Sequence, residues 1–310
     1  MPKGISVHVG VNQPDPSFGV VTLQGCVNDA NAMFQIAQDN GFEAKAPFLD
    51  TGATLESVEA AILDAANSLD AGDIFLFTFA GHGSIRPTTF SAAELDSQDE
   101  TILLFDCILI DNYLRLNLWS QFKKDVRILG IADSCHSGTA LLSKPPNPTK
   151  DHIPMPSVGN AIAAVSMTEA SFPQRHCYVT DPPLVVQQIP VTLNRGFSAA
   201  DRQRILNVNP EIHNEMQARL MPPGPLQADL LTLGACQDRE LAGDGEDNGV
   251  FTRALLDVWD NGAFAGPDYN DFIRKIAEKV RLQTSSQQNP VLRPLIVNQD
   301  FVRQRPFTIE

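Results

Sequence analysis

Strand-length stretches in which nearly every residue is apolar alternate along the chain with segments whose apolar residues recur every three or four positions. Ile5 to Val11 reads as a strand, and Asn28 to Asn40 as a helix that stops before Gly41. Leu55, Val58, Ile62 and Ala65 mark a helix over Leu55 to Ser68, and Asp73 to Phe79 a buried strand. Tyr113 to Phe122 reads as a short helix and Arg127 to Ala132 as another buried strand. The pattern resumes late, with a strand over Leu230 to Ala235, helices over Thr252 to Asn261 and Tyr269 to Leu282, and a last strand over Pro290 to Val297. Strand and helix in alternation predict an α/β fold: a mainly parallel central sheet with helices on both faces.

Between these regular parts the pattern breaks. Residues 143–159 carry five prolines, which remove ladder donors and break helices, so a loop is expected. The stretch up to about Pro225 mixes a strand candidate, Pro183 to Val191, with polar and helical pieces. One domain over 1–310 is expected, divided into a part over 1–142, a proline-rich insertion or linker over 143–227, and a part over 228–310.

Composition narrows the class. A chain of 310 residues with 43% hydrophobic content is long enough to bury a full core. Its start enters a strand pattern directly, without a basic region and apolar leader, and no apolar run approaches the roughly 20 residues of a membrane span; a cytoplasmic protein without membrane partners is expected. The net charge of -14 repels nucleic-acid phosphates and favours cationic substrates. The five cysteines are an odd number without any C-x-x-C pair, which points to reduced thiols rather than a disulfide framework or zinc knuckle.

Two of the most apolar strands run into reactive groups. Asp73 to Phe79 leads to Ala80-Gly81-His82-Gly83, and Arg127 to Ala132 leads to Asp133-Ser134-Cys135-His136-Ser137-Gly138. Ligands of open parallel sheets bind beyond the carboxyl ends of strands, so if these two are neighbours, His82 and Cys135 meet. An imidazole that takes the thiol proton and returns it to a departing amine is acyl-transfer chemistry. The N–H groups of Gly83 and Cys135 are the candidate oxyanion donors. Taken singly, the cysteine also fits a small buried thiol and Gly-His-Gly an ordinary turn. His136 is given no catalytic role, since adjacent residues point to different sides, and Cys107, Cys177 and Cys236 read as packed thiols.

The two segments together resemble the metacaspases, including the short prokaryotic orthocaspases, in which Ser-Gly-His-Gly and Asp-x-Cys-x-Ser-Gly carry a histidine–cysteine dyad. The resemblance extends to Gly25-Cys26-Val27-Asn28-Asp29-Ala30, to Asp99-Glu100-Thr101-Ile102 with Asp106, and more weakly to segments around Leu233, Val250 and Tyr269. It implies a caspase-like three-layer sandwich and a cysteine endopeptidase that cuts polypeptides after arginine, or lysine, with Cys135 as nucleophile and His82 as base. The positions matching the family's specificity pocket are Cys26, Asp29 and Asp133, and two carboxylates suit the planar fork of a guanidinium. Ala80 stands where the family has serine. The Gln-Ala-Cys context of caspases that cut after aspartate is absent.

No cofactor is expected to be required. The resemblance implies a calcium site at Asp99, Asp111 and Asn112, incomplete because the last aspartate is replaced by Leu142; calcium favours six to eight oxygen ligands. The acidic run Gly243 to Gly249 lacks the spacing of a calcium-binding loop and reads as a solvated turn. Lys144, Lys150, Arg175, Arg195 and Arg202 make the insertion a candidate for self-cleavage. Two other functions are weighed: a caspase-like scaffold without turnover, and a cysteine phosphatase, for which Leu141 stands where a phosphate-cradling arginine is needed.

Overall fold

The computed structural model describes residues 1–87, 98–138, 140–141, 193–222, 224–238, 240–284, 287–295 and 298–310. In chain order these form β1 (Gly4–Gly10), α1 (Cys26–Asp39), β2 (Glu43–Ala44), β3 (Phe48–Leu49), α2 (Leu55–Ser68), β4 (Ile74–Ala80), β5 (Gly83–Pro87), β6 (Gln98–Leu103), β7 (Ile108–Ile110) and α3 (Asp111–Tyr113). There follow β8 (Arg127–Asp133), β9 (Leu193–Asn194), α4 (Ala199–Val208), α5 (Pro210–Ala218), β10 (Asp229–Gly234), β11 (Gly243–Asp244), α6 (Val250–Trp259), α7 (Tyr269–Thr284) and β12 (Val291–Leu295).

The central sheet has the order β12-β10-β8-β4-β1-β2, with β3 also on β1. All its pairings are parallel except that of β12 with β10. The antiparallel strand lies at an edge, where Pro294, opposite Leu231, costs the ladder little. Alternation along β4 explains the sandwich. Phe75, Phe77 and Phe79 enter a core with Val58, Ile62 and Ala65 of α2, while Ile74 and Leu76 enter a second core with Met33 and Ile36 of α1 and with the apolar faces of α6 and α7. Side chains of successive strand residues point to opposite faces, so a strand of unbroken apolar residues needs cover on both. This is the caspase-like arrangement: a mixed, mostly parallel sheet between helices.

Two features depart from the pattern read in the sequence. β5, β6 and β7 form a separate antiparallel sheet, of which β6 opens on the polar run Gln98-Asp99-Glu100-Thr101 and so lacks the apolar signature of the central strands. The helix expected over Tyr113 to Phe122 is an irregular succession instead: α3, then a wide turn over Leu114–Leu118, then a tight one over Trp119–Gln121. The strand candidate Pro183 to Val191, the proline-rich loop and Cys177 lie outside the described residues. The end of the expected insertion is integral to the fold, since Ile205 of α4 and Met216 of α5 share the core of β1 and β4.

Candidate active site

β4 and β8 are neighbours, with Ala80 opposite Asp133, so the two reactive segments leave adjacent strand ends. A close approach of backbones holds them together. A Cβ on Gly83 would lie 2.2 Å from the carbonyl oxygen of Cys135, so only glycine fits. The His82 backbone is tied to β6 by the N–H of Leu103.

His82 is 1% exposed, and its Nε2 lies 2.6 Å from the carbonyl of Val21. A carbonyl only accepts, so Nε2 carries the proton and Nδ1 is the basic nitrogen of the neutral ring. Nδ1 is buried without a hydrogen-bond partner among the described residues. Burial lowers the pKa of His82, against the pull of the Val21 carbonyl. Cys135 is fully buried, its Sγ accepting from the N–H of Ala242 at 3.1 Å, and burial pushes its thiol up to about 12. Both groups therefore rest uncharged.

The space before Cys135 is filled by the chain itself. β9 pairs antiparallel with β11, placing Leu193 opposite Asp244 and Asn194 opposite Gly243, and the next residue, Arg195, lies across the site. Its carbonyl oxygen accepts from the N–H of Gly83 at 2.8 Å and from the N–H of Cys135 at 3.3 Å. The two donors singled out in the sequence thus converge on one peptide carbonyl. The residue after it, Gly196, bridges to Gly83, and a Cβ there would stand 3.3 Å from Cys135 Sγ.

The Arg195 side chain is wholly buried among three carboxylates. Its Nη2 lies 2.6 Å from Asp29 Oδ2 and 2.9 Å from Asp244 Oδ1, and its Nη1 lies 3.1 Å from Asp133 Oδ1. Nη1 also donates to the Asp133 carbonyl at 2.9 Å, and Nε to Asp244 at 3.1 Å. Each carboxylate is held in turn: Asp29 by Asn248 and the Gly249 N–H, Asp133 by both the N–H and hydroxyl of Thr252, Asp244 by the N–H groups of Gln24 and Gly25. Gly25 and Gly249 form walls that a side chain would close, because added Cβ atoms would lie 3.0 and 2.5 Å from Nη2. Cys26 packs beside Leu23 and Ala80 at this pocket, within the field of the guanidinium. Three carboxylates face one cation, and burial with the neighbouring charge of Asp133 pushes Asp29 up to about 7 against the attraction of Arg195.

Asp244 corrects the reading of Gly243 to Gly249 as a solvated turn: Gly243 and Asp244 are buried, paired with β9, and Asp244 closes the pocket. A short acidic run resembles a solvated loop unless its cationic partner is known. His136 points elsewhere, donating from Nδ1 to the Asp238 carbonyl, and Cys107 and Cys236 are buried thiols. At the calcium positions, Asn112 Nδ2 donates to Asp99 Oδ1 at 3.0 Å. Leu142 lies outside the described residues, among which no cluster of three or more His, Cys, Asp or Glu side chains forms a metal site. No helix among them is long and apolar enough to cross a membrane.

Comparison with known proteins agrees with this architecture. The caspase domain matches residues 7–302. Metacaspase-9 of Arabidopsis thaliana is 32% identical over 185 residues, covering 56% of this chain and 54% of that protein. Metacaspase-1 of Kluyveromyces lactis is 24% identical over 248 residues, 75% of this chain and 53% of that one. The chain thus spans about half the length of these relatives. Protein GSU0716 from Geobacter sulfurreducens, a solved structure, is 30% identical and superposes with a TM-score of 0.73 over 99% of both chains.

Proposed function

Since the chain belongs to the caspase-domain family of cysteine peptidases and is metacaspase-like, we propose that it hydrolyses peptide bonds after arginine with Cys135 as nucleophile and His82 as general base. The observation that carries this reading is the seat of Arg195, with its carbonyl on two N–H donors and its guanidinium among three carboxylates.

The chemistry follows from the resting protonation states. As Cys135 Sγ attacks the carbonyl carbon, its proton passes to the unprotonated Nδ1 of His82, while Val21 keeps Nε2–H fixed and the ring oriented. Charge that develops on the carbonyl oxygen is met by the N–H groups of Gly83 and Cys135; one such donor typically supplies about 3 kcal/mol of transition-state stabilisation. The imidazolium then protonates the departing amine, and water cleaves the thioester. In the pocket the guanidinium engages separate carboxylates through Nε, Nη1 and Nη2, which a lysine ammonium, a single compact charge, cannot reproduce; arginine is the preferred residue.

The same placement makes Arg195–Gly196 the bond the protein cuts in itself. Intact mass spectrometry of the purified protein tests this. Wild type converts to two fragments divided after Arg195, and Cys135→Ala stays whole; equal masses for both after prolonged incubation contradict the proposal.

A further inference from the structure

Cutting after Arg195 creates two chain ends that are held very unequally. Upstream, Leu193 and Asn194 are tied by a two-residue strand pairing and by the arginine pocket. Downstream, only Gly196 and Phe197 separate the new end from Ser198, the cap of α4, whose hydroxyl accepts from the N–H of Asp201. The carbonyl of Phe197 accepts from Ser84 Oγ at 3.1 Å, and the ring of Phe197 stands edge-on to His82 at 6.4 Å. Beyond it Arg204 donates to the carbonyls of Phe18 and Gly19 at 3.0 Å, Asn209 to that of Asp106 at 2.7 Å, and Ile205 and Met216 are buried in the core. None of these contacts involves the bond that breaks.

Resting on the peptidase reading and on the cut after Arg195, we propose that the freed α-amine of Gly196 stays beside Cys135 as an acyl acceptor, making the processed protein a ligase that joins arginine-ended peptide acyl groups to its own Gly196. The Gly196 backbone, which bridges to Gly83 and at which an added Cβ would stand 3.3 Å from Sγ, occupies the place from which an amine leaves and to which it returns. A peptide whose arginine carbonyl bears an amine leaving group acylates Cys135: the C–S bond forms as the C–N bond breaks, and the departing amine takes the thiol proton from His82. The lone pair of the Gly196 nitrogen then attacks the thioester carbon, the C–N bond forms as the C–S bond breaks, and the amine proton passes through His82 to the sulfur. Water competes, but a nucleophile on a tether of two residues acts at a high effective concentration, and a neutral amine attacks a thioester more readily than water does.

The test uses the self-processed full-length protein and acetyl-Leu-Asn-Arg coumarylamide, an acyl group copied from Leu193–Arg195. Coumarin release is followed by fluorescence, and samples quenched in acid while substrate remains are analysed by intact mass and peptide mapping. The expected result is a fragment 196–310 heavier by acetyl-Leu-Asn-Arg on the Gly196 α-amine. The ratio of ligated to hydrolysed acyl group should rise about tenfold per pH unit below the amine pKa of about 7.7. Coumarin release with that fragment unchanged in mass overturns the ligase and leaves the peptidase standing. Coumarin release from a chain that never divides also overturns it, because no Gly196 amine exists. Absence of both release and self-cleavage overturns the peptidase reading itself.

Discussion

Asp29 sets how the pocket responds to pH. Burial, with the charge of Asp133 beside it, pushes its carboxyl up to about 7 even with Arg195 present. That value belongs to the occupied pocket and Arg195 lowers it, so the empty pocket holds the proton more tightly and a guanidinium displaces it on binding above about pH 7. KM for arginine peptides is therefore expected to fall as pH rises above about 7, by up to tenfold per unit; a KM flat from about pH 7 to 9 contradicts the assignment of Asp29. Arg195 itself is the charge that makes three buried carboxylates tolerable. Leaving buried charge without its partner costs about 3 kcal/mol or more, so Arg195→Ala should lower Tm in the unprocessed Cys135→Ala background, with Arg195→Lys intermediate. Calorimetry at pH 7.5 reads both.

At the scale of elements, the site depends on the distance between two loops that leave neighbouring strands. Gly83→Ala places a methyl 2.2 Å from the Cys135 carbonyl, and neither backbone can retreat without moving His82 or the oxyanion donors. Loss of kcat by at least about 100-fold, the effect of losing one such donor, is expected with KM nearly unchanged; stopped-flow assay of a peptide substrate measures it. Gly249→Ala acts on the other half, intruding 2.5 Å from Nη2 in the pocket, and should raise KM for arginine peptides instead. These elements differ in how plainly the chain announces them. β4 and β8 are legible because both faces are covered and, apart from Arg127 and Asp133 at the ends of β8, every residue is apolar or small, and the motifs at their ends follow directly. β11 is not, since two residues have no period. Arg195 is one of seven lysines and arginines in residues 143–227, and only the pairing of β9 with β11 singles it out.

Over the whole molecule, the acid response has a source remote from the site. His8, in the middle of β1, is buried with Ser6 and Thr78 as its hydrogen-bond partners, and burial lowers its pKa to about 3. The folded state holds it neutral while the unfolded chain protonates it near 6.5, so its contribution to stability is present above about pH 6.5 and is lost progressively as pH falls toward 3. At about 1.4 kcal/mol per unit this amounts to a few kcal/mol. Urea midpoints measured between pH 7 and 4 should fall more steeply for wild type than for His8→Asn; parallel curves would remove His8 from the account. The parallel sheet, its two cores and the covering helices were readable from periodicity alone, whereas the occupancy of the cleft by the chain's own Arg195 arises from contacts between residues far apart in sequence, including Asp29, Asp133 and Asp244.

The central claim is that a thiol at residue 135 breaks bonds on the carbonyl side of a guanidinium-bearing residue held by carboxylates. The most direct measurement compares coumarin release from acetyl-Leu-Asn-Arg, acetyl-Leu-Asn-Lys and acetyl-Leu-Asn-Asp coumarylamides by wild type and by Cys135→Ala. The account predicts arginine ahead of lysine, no detectable release from the aspartyl peptide, and no release by the variant. Comparable rates for arginine and aspartate, or turnover that survives loss of the thiol, would contradict it.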